Sequence, residues 1–130
     1  MNAPASITIT PVRVAGLLAE NERMPVYVHV IDHPEARVLV DTGMTELHPA
    51  VADLDPRLRP LSEQDFDLAG IDIVVNTHLH ADHCGGNHLF AGKPIHVQAR
   101  NRASVALGSP GKCALRCASV RAIRRPRRER

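Results

Sequence analysis

The sequence predicts an α/β domain, a mixed β-sheet with helices layered against it. Three observations predict it. The first forty residues hold β-rich runs that alternate apolar and polar side chains. A short, continuous apolar run, "IDIVV", stands in the middle of the chain. Between and after these lie stretches that suit loops and short helices rather than strands.

"SITITPVRVAGLL" alternates at its start and reads as a first strand. In "MPVYVHVIDH", Val26, Val28 and Val30 share one face, and Tyr27, His29 and Ile31 share the other. "DHPEA" reads as a turn, because Pro34 fixes its own φ and Asp32 tolerates turn geometry. "RVLVDTG" is the return strand, so residues 24–43 are expected to form a β-hairpin. Residues 44–70 are polar, acidic and rich in Pro, which predicts a long loop with short helical pieces. Ser62 with Asp65 resembles a helix start and Gly70 its stop. "IDIVVNT" is expected to be a strand buried on both faces over 71–77. "GGNHLFAG" can hold a helical turn, and "KPIHVQAR" is a further strand candidate.

The 130 residues suffice for one modest domain. Aromatic content is 2%, so the core must be built from Val, Ile, Leu and Ala. The net charge of +2 hides an asymmetry, because residues 1–100 sum to −6 and residues 101–130 to +8. After Arg100 the pattern has no sustained period of two or of 3.6, and it ends in "RRPRRER". The chain therefore divides into a folded part, 1–100, and a basic, poorly structured tail, 101–130. The tail reads either as a natural extension or as an out-of-frame translation, and its abrupt change in charge and period favours the second. An Arg-rich tail also raises nucleic-acid binding. With no aromatic side chains in the tail to stack bases, a solvated end is the better reading, and no nucleic-acid partner is expected. No apolar run approaches the roughly 20 residues of a membrane span, so no membrane partner is expected. "MNAPASITIT" lacks a basic start and an apolar stretch, which argues against a signal peptide. Cys84, Cys113 and Cys117 do not form a disulfide pattern, which points to a cytoplasmic protein.

The chemistry concentrates in "NTHLHADHCGGN". In extended backbone His78 and His80 project to the same side, and two imidazoles at that spacing can share one cation. Asp82 continues that side, and the following turn displaces His83 towards a second cation. Gly85 and Gly86 permit positive φ and close backbone approach at a sharp strand-to-helix turn. A surface run of histidines is the plain alternative. Four ligand-type residues alternating after a strand, followed by Gly-Gly, favour the metal site. His29, His33, His48, His88 and His96 read as strand, turn and loop residues, and Cys84 as a small buried hydrophobe. Cys113 and Cys117 have helical spacing but no partner residues, which is weak support for a soft-metal site.

"THLHADHCGG" resembles the HxHxDH signature of the metallo-β-lactamase fold superfamily of metal-dependent hydrolases. "VLVDTG" resembles that superfamily's first motif, a strand ending in an aspartate. The layout of the two together is most similar to the N-acyl homoserine lactonase-like branch. The resemblance implies the N-terminal half of an αββα sandwich. It implies His78 and His80 as ligands of one metal, Asp82 and His83 as ligands of a second, and Asp41 as the residue that orients them. Zinc is the expected ion, with manganese, iron or cobalt as alternatives. The implied function is hydrolysis of a small lactone or ester by a metal-bound hydroxide, with Asp82 as the catalytic residue. A glyoxalase-II-like thioester hydrolase and a non-catalytic remnant are the alternatives. The resemblance covers about residues 6–100, and neither His nor Asp occurs after His96. The remaining ligands that the resemblance calls for are therefore not in this chain, and weak or no activity is expected of it.

Overall fold

The computed structural model describes residues 6–98 and 120–123. Seven strands form one mixed sheet: β1 (Thr8–Ala19), β2 (Glu22–His33), β3 (Ala36–Val40), β4 (Arg57–Leu58), β5 (Ile73–Asn76), β6 (Ile95–Gln98) and β7 (Val120–Ile123). Their order across the sheet is β4-β1-β2-β3-β5-β6-β7.

The first half of the sheet is an antiparallel meander. β1 turns into β2 at Glu20 and Asn21, both at positive φ, 49° and 64°. Two successive left-handed residues suit a tight hairpin, because that turn matches the twist of the strands it joins. β2 turns into β3 with the register His33↔Ala36 to His29↔Val40, so the expected hairpin over 24–43 is present. The register of β1 against β2 shifts between Arg13 and Ala15. At this bulge Val14 is fully buried. The second half of the sheet is parallel, β3 to β5 to β6 to β7. Parallel neighbours need long crossovers. Residues 41–72 make the first and residues 77–94 the second.

The core lies on one face of the sheet. Val26, Val28, Val30, Leu39, Val74 and Ile95 project from the strands and pack with Met44, Val51, Leu61, Ile71 and Phe90 from the crossovers. At about 25 cal/mol per Å² of apolar surface, each such side chain contributes roughly 1.5–3 kcal/mol. The opposite face carries Ile9, Ile31, Val38, Val40, Ile73 and Val75 in cross-strand rows, and none of these is fully buried. The sequence suggested a β5 buried on both faces. The structure buries Val74 and Asn76 and leaves Ile73 and Val75 half-buried, because no described element packs on their side.

The acidic stretch 44–70 differs in detail from expectation. It contains two 3₁₀ turns, Pro49–Leu54 and Leu61–Glu63, and the two-residue strand β4 against β1. No helix runs from Ser62 to Gly70. Gln64 instead donates its side-chain amide to the carbonyls of Arg13 and Arg59, and Asp67 accepts from the Gly70 N–H. These contacts tie the segment down as turns. "NHLF" forms a third 3₁₀ turn, Asn87–Phe90. Most of the segment 101–130, and with it the expected disordered tail, lies outside the described residues. Within it Val120–Ile123 forms the edge strand β7, a regular element that its composition did not announce.

Candidate metal centre

Strands β3 and β5 are parallel and end together, so the residues that follow them meet at one end of the sheet. Asp41 follows β3 and Thr77 follows β5. In open α/β sheets this carboxyl end of the strands is where ligands gather. Asp41 adopts φ 65° and donates its N–H to Val75 O at 2.7 Å. A left-handed non-glycine is unusual, and Asp is among the residues that tolerate it best. Its side chain is 7% exposed. The carboxylate accepts from the Thr77 N–H at 2.8 Å and the Thr77 hydroxyl at 2.7 Å.

Past β5 the chain stays extended through His80, so Leu79 turns inward and is fully buried while His78 and His80 turn outward. His80 then starts α1 (Ala81–Cys84), a single helical turn that carries Asp82 and His83. The glycines behind α1 are required by contact. A Cβ on Gly85 would lie 2.6 Å from the Ala81 carbonyl oxygen, and one on Gly86 would lie 2.3 Å from that of Thr42. Both keep negative φ, −63° and −92°, so close approach and not a left-handed turn explains the pair. The approach is knit by backbone bonds. Thr42 and Gly43 donate to His83 O at 2.8 and 3.3 Å, and Gly86 donates to Gly43 O at 3.1 Å. Beside them Asn76, 2% exposed, and Asn87 exchange amide hydrogen bonds at 2.8 and 3.1 Å. Thr42 donates to the same Asn87 oxygen. Cys84, 2% exposed, is disulfide-bonded. This corrects the expectation that the cysteines form no disulfide. Cys113 and Cys117 lie outside the described residues.

Of the five residues singled out in the sequence, His78, Asp82 and His83 bring donor atoms within 4.8 Å of one another. His80 stands beside them, its ring edge-on to His78 with centroids 4.7 Å apart, and the His78 and His83 rings are 4.2 Å apart. Asp41 sits behind the group, its carboxylate 3.3 Å from His83 Nδ1. Asp82 is 3.3 Å from His83 Nε2. In the metal-free chain the donor atoms of His78, Asp82 and His83 thus lie together, with His80 alongside His78.

The electrostatics suit a cation. Hydrogen bonds from His83 to Asp41 and to Asp82 raise the His83 pKa to about 9 against the cost of burial, so at neutral pH this imidazole is itself a cation between two carboxylates. Burial pushes the Asp82 carboxyl up, but the His83 hydrogen bond and charge outweigh it and hold the group below the usual carboxylate range. Burial, followed by the charges of His83 and His80, holds His78 below the usual imidazole value and keeps its ring neutral and available as a ligand. Once an ion displaces the His83 proton, two imidazoles and one carboxylate within reach of a single point form a donor set that zinc and similar ions accept, with a coordination position left over. The residues present fit a divalent ion on that chemistry. Thr77 and Asn87 carry hydrogen bonds of the site and were not singled out from the sequence. The one signal for Thr77 was its place between the buried strand and the first histidine.

A mixed sheet whose parallel strands end at a His/Asp cluster defines an α/β domain with a candidate metal site. The chain belongs to the metallo-beta-lactamase superfamily, whose family model matches residues 21–112. Among characterised relatives, the N-acyl homoserine lactonase AiiA of Bacillus thuringiensis subsp. kurstaki is 28% identical, with 58% of this chain and 37% of the relative covered. The chain thus spans well under half the length of the curated relatives it matches. Among solved structures, Bacillus thuringiensis AiiA with N-decanoyl-L-homoserine bound at its active site superimposes with a TM-score of 0.70. Its identity is 21%, and 95% of this chain and 61% of that one are covered. A quorum-quenching N-acyl homoserine lactone lactonase gives 0.66 at 25% identity, covering 95% and 58%. MEM-A1, a subclass B3 metallo-beta-lactamase from a soil metagenome library, gives 0.54 at 22%, covering 88% and 42%.

Proposed function

We propose that this chain is the metal-binding part of a hydrolase that opens an ester-type bond in a small molecule, with acyl homoserine lactones as the first candidate substrates. The observation that carries the reading is the convergence of His78, Asp82 and His83 behind β5, in a chain of this superfamily. Substrate class rests on the lactonase relatives alone. His78, Asp82 and His83 would hold the first divalent ion, zinc or alternatively manganese, iron or cobalt. His80 is the nearest further imidazole towards a second. When bound, such an ion supplies Lewis acidity towards a carbonyl oxygen and lowers the pKa of water.

The chain's own residues do the rest. Asp82 contributes a carboxylate held in its charged form, so it can accept a hydrogen bond from a water and orient it. His83 is oriented through Nδ1 by Asp41, which fixes the ring plane and leaves Nε2 facing Asp82. Leu79 and Ala81, 0% and 4% exposed, anchor the backbone between the donors. A catalytic zinc takes three protein ligands and an open position. One such set is at hand, and a second is not among the described residues. We expect metal binding weakened at neutral pH by the proton that His83 holds, and, with the second set missing, near-background turnover from the 130-residue chain alone.

The test is purified chain with added zinc, manganese or cobalt, assayed against a homoserine lactone and a thioester, with His80→Ala as control. Metal binding with turnover near background agrees with the proposal. Robust turnover abolished by His80→Ala would show that the chain completes its own site. Absence of any metal binding would remove the reading.

A further inference from the structure

The two imidazoles in the cluster differ in what holds them. His83 meets the Asp41 carboxylate directly. His78 does not. Its Nδ1 lies 2.9 Å from the hydroxyl of its neighbour Thr77, and that hydroxyl lies 2.7 Å from Asp41 Oδ2. The chain of contacts is Asp41 Oδ2, Thr77 Oγ1, His78 Nδ1.

A hydroxyl has one hydrogen to donate, and an ionised carboxylate only accepts. At 2.7 Å from the carboxylate oxygen, the Thr77 hydrogen must point at Asp41. The lone pairs of Oγ1 then remain for His78, so Nδ1 must be the ring nitrogen that carries hydrogen. Nε2 is left with the lone pair. The backbone of Thr77 is tied to the same carboxylate independently, because its N–H donates to Asp41 Oδ1 at 2.8 Å, and this holds the Thr77 hydroxyl within reach of Oδ2. We propose that Thr77 is a positioning residue, locking His78 in the Nδ1-protonated tautomer and so presenting Nε2 to the ion.

This inference rests on the metal-binding reading above for its functional meaning, but the tautomer is a property of the metal-free chain. One buried carboxylate thereby orients both imidazoles, His83 by direct contact and His78 through a hydroxyl. An aqueous imidazole favours hydrogen on Nε2, so without the hydroxyl the ring must lose its preferred tautomer before Nε2 can bind an ion. Partners of metal ligands typically alter affinity 10–100-fold.

The test uses the full chain, wild type, Thr77→Val and Thr77→Ser. Valine keeps the branched shape and removes the hydroxyl, whereas serine keeps the hydroxyl. Two-bond 1H–15N correlation spectra of the metal-free proteins at about pH 8, where a free imidazole is neutral, report which nitrogen of His78 carries hydrogen. The expected result is Nδ1–H in wild type and Thr77→Ser, and a mixture or Nε2–H in Thr77→Val. Cobalt titration should show Thr77→Val weakened about 10-fold or more, with Thr77→Ser restored towards wild type. Nε2–H in the wild type would overturn the proposal. So would an unchanged tautomer with unchanged cobalt affinity in a folded Thr77→Val. If the wild type binds no ion but His78 is Nδ1–H and Thr77→Val loses that state, the positioning role stands and the metal reading fails.

Discussion

Replacing Gly86 with alanine should damage the site through backbone contact alone. The added Cβ would sit 2.3 Å from the Thr42 carbonyl oxygen and 3.1 Å from its carbon. Relief of that clash requires residues 42–44 and α1 to separate by roughly 1 Å, since a carbon and an oxygen need about 3.2–3.3 Å. The Gly86 N–H to Gly43 O bond starts at 3.1 Å and would stretch past hydrogen-bonding range. Overpacking of this kind costs typically 1–3 kcal/mol, and the stranded donor and acceptor keep the total near the top of that range. For a domain of this size that corresponds to a fall in Tm on the order of 10 °C. The same separation draws Asp41 away from His83, now 3.3 Å apart, and should weaken zinc binding roughly 10-fold or more. The assay pairs thermal denaturation with zinc titration. Gly92→Ala is the comparison, because nothing lies within 4 Å of its Cβ and only its φ of 86° is strained. That variant should lose about 1–2 kcal/mol and leave zinc binding unchanged. A Gly86→Ala protein as stable as wild type, with intact zinc affinity, would refute the contact argument.

The pH dependence of the metal-free protein has a definite sign. The folded pKa of His83, about 9, exceeds its ordinary 6.5, so its contribution is complete below about pH 6.5 and is lost as pH rises through about 9. Urea denaturation at about pH 6 and about pH 10 should differ by roughly 2–3 kcal/mol from this group, and His83→Gln should flatten the difference. Greater stability of the wild type at the alkaline end, with the mutant unchanged, would contradict the Asp41–His83–Asp82 arrangement. Zinc affinity should rise over the same range, because the ion must displace that proton, and a flat profile would exclude His83 as a ligand. Asp41→Asn keeps a residue that tolerates φ 65° but removes the charge, so the His83 pKa should fall towards 6.5 in an NMR titration. Leu79→Ala removes a fully buried side chain between two donors. It should lose about 2–5 kcal/mol in denaturant melts and reduce zinc affinity with it, whereas loss of stability alone would show that Leu79 does not hold the histidines.

Much of this molecule was legible in its sequence where one physical signal dominated. The alternation in "VYVHV" and "RVLV" is strong because one face is buried and the other is not, so β2 and β3 stood out. The four donor-type residues after "IDIVV" stood out because such side chains are seldom placed together without a reason. What stayed illegible depended on distant partners. Gln64 holds 61–70 in turns by reaching the carbonyl of Arg13, a residue 51 positions away, and this overrides the helix-like ends at Ser62 and Gly70. For the Gly85–Gly86 pair the sequence allowed both positive φ and close backbone approach; the close approach is the cause, to the carbonyl of Ala81 for Gly85 and to that of Thr42 across the fold for Gly86. The grouping of His78 with Asp82 and His83 depends on where one helical turn aims its side chains, which spacing in an extended chain does not determine. β7 carries no alternating pattern of its own and is defined by β6 beside it.

The division of the sheet into an antiparallel meander and a parallel remainder has a kinetic meaning. Strands β1, β2 and β3 are neighbours in sequence, joined by turns of two residues, so their contacts close small loops. Strands β5 and β6 dock only after the crossovers 41–72 and 77–94 have been closed, which is slower and loses more chain entropy. Asp41 ends the early part, and His78, Asp82 and His83 all belong to the late part. The donor set is therefore assembled across the boundary between what folds first and what folds last, and in native-state hydrogen exchange α1 should open well before the meander does.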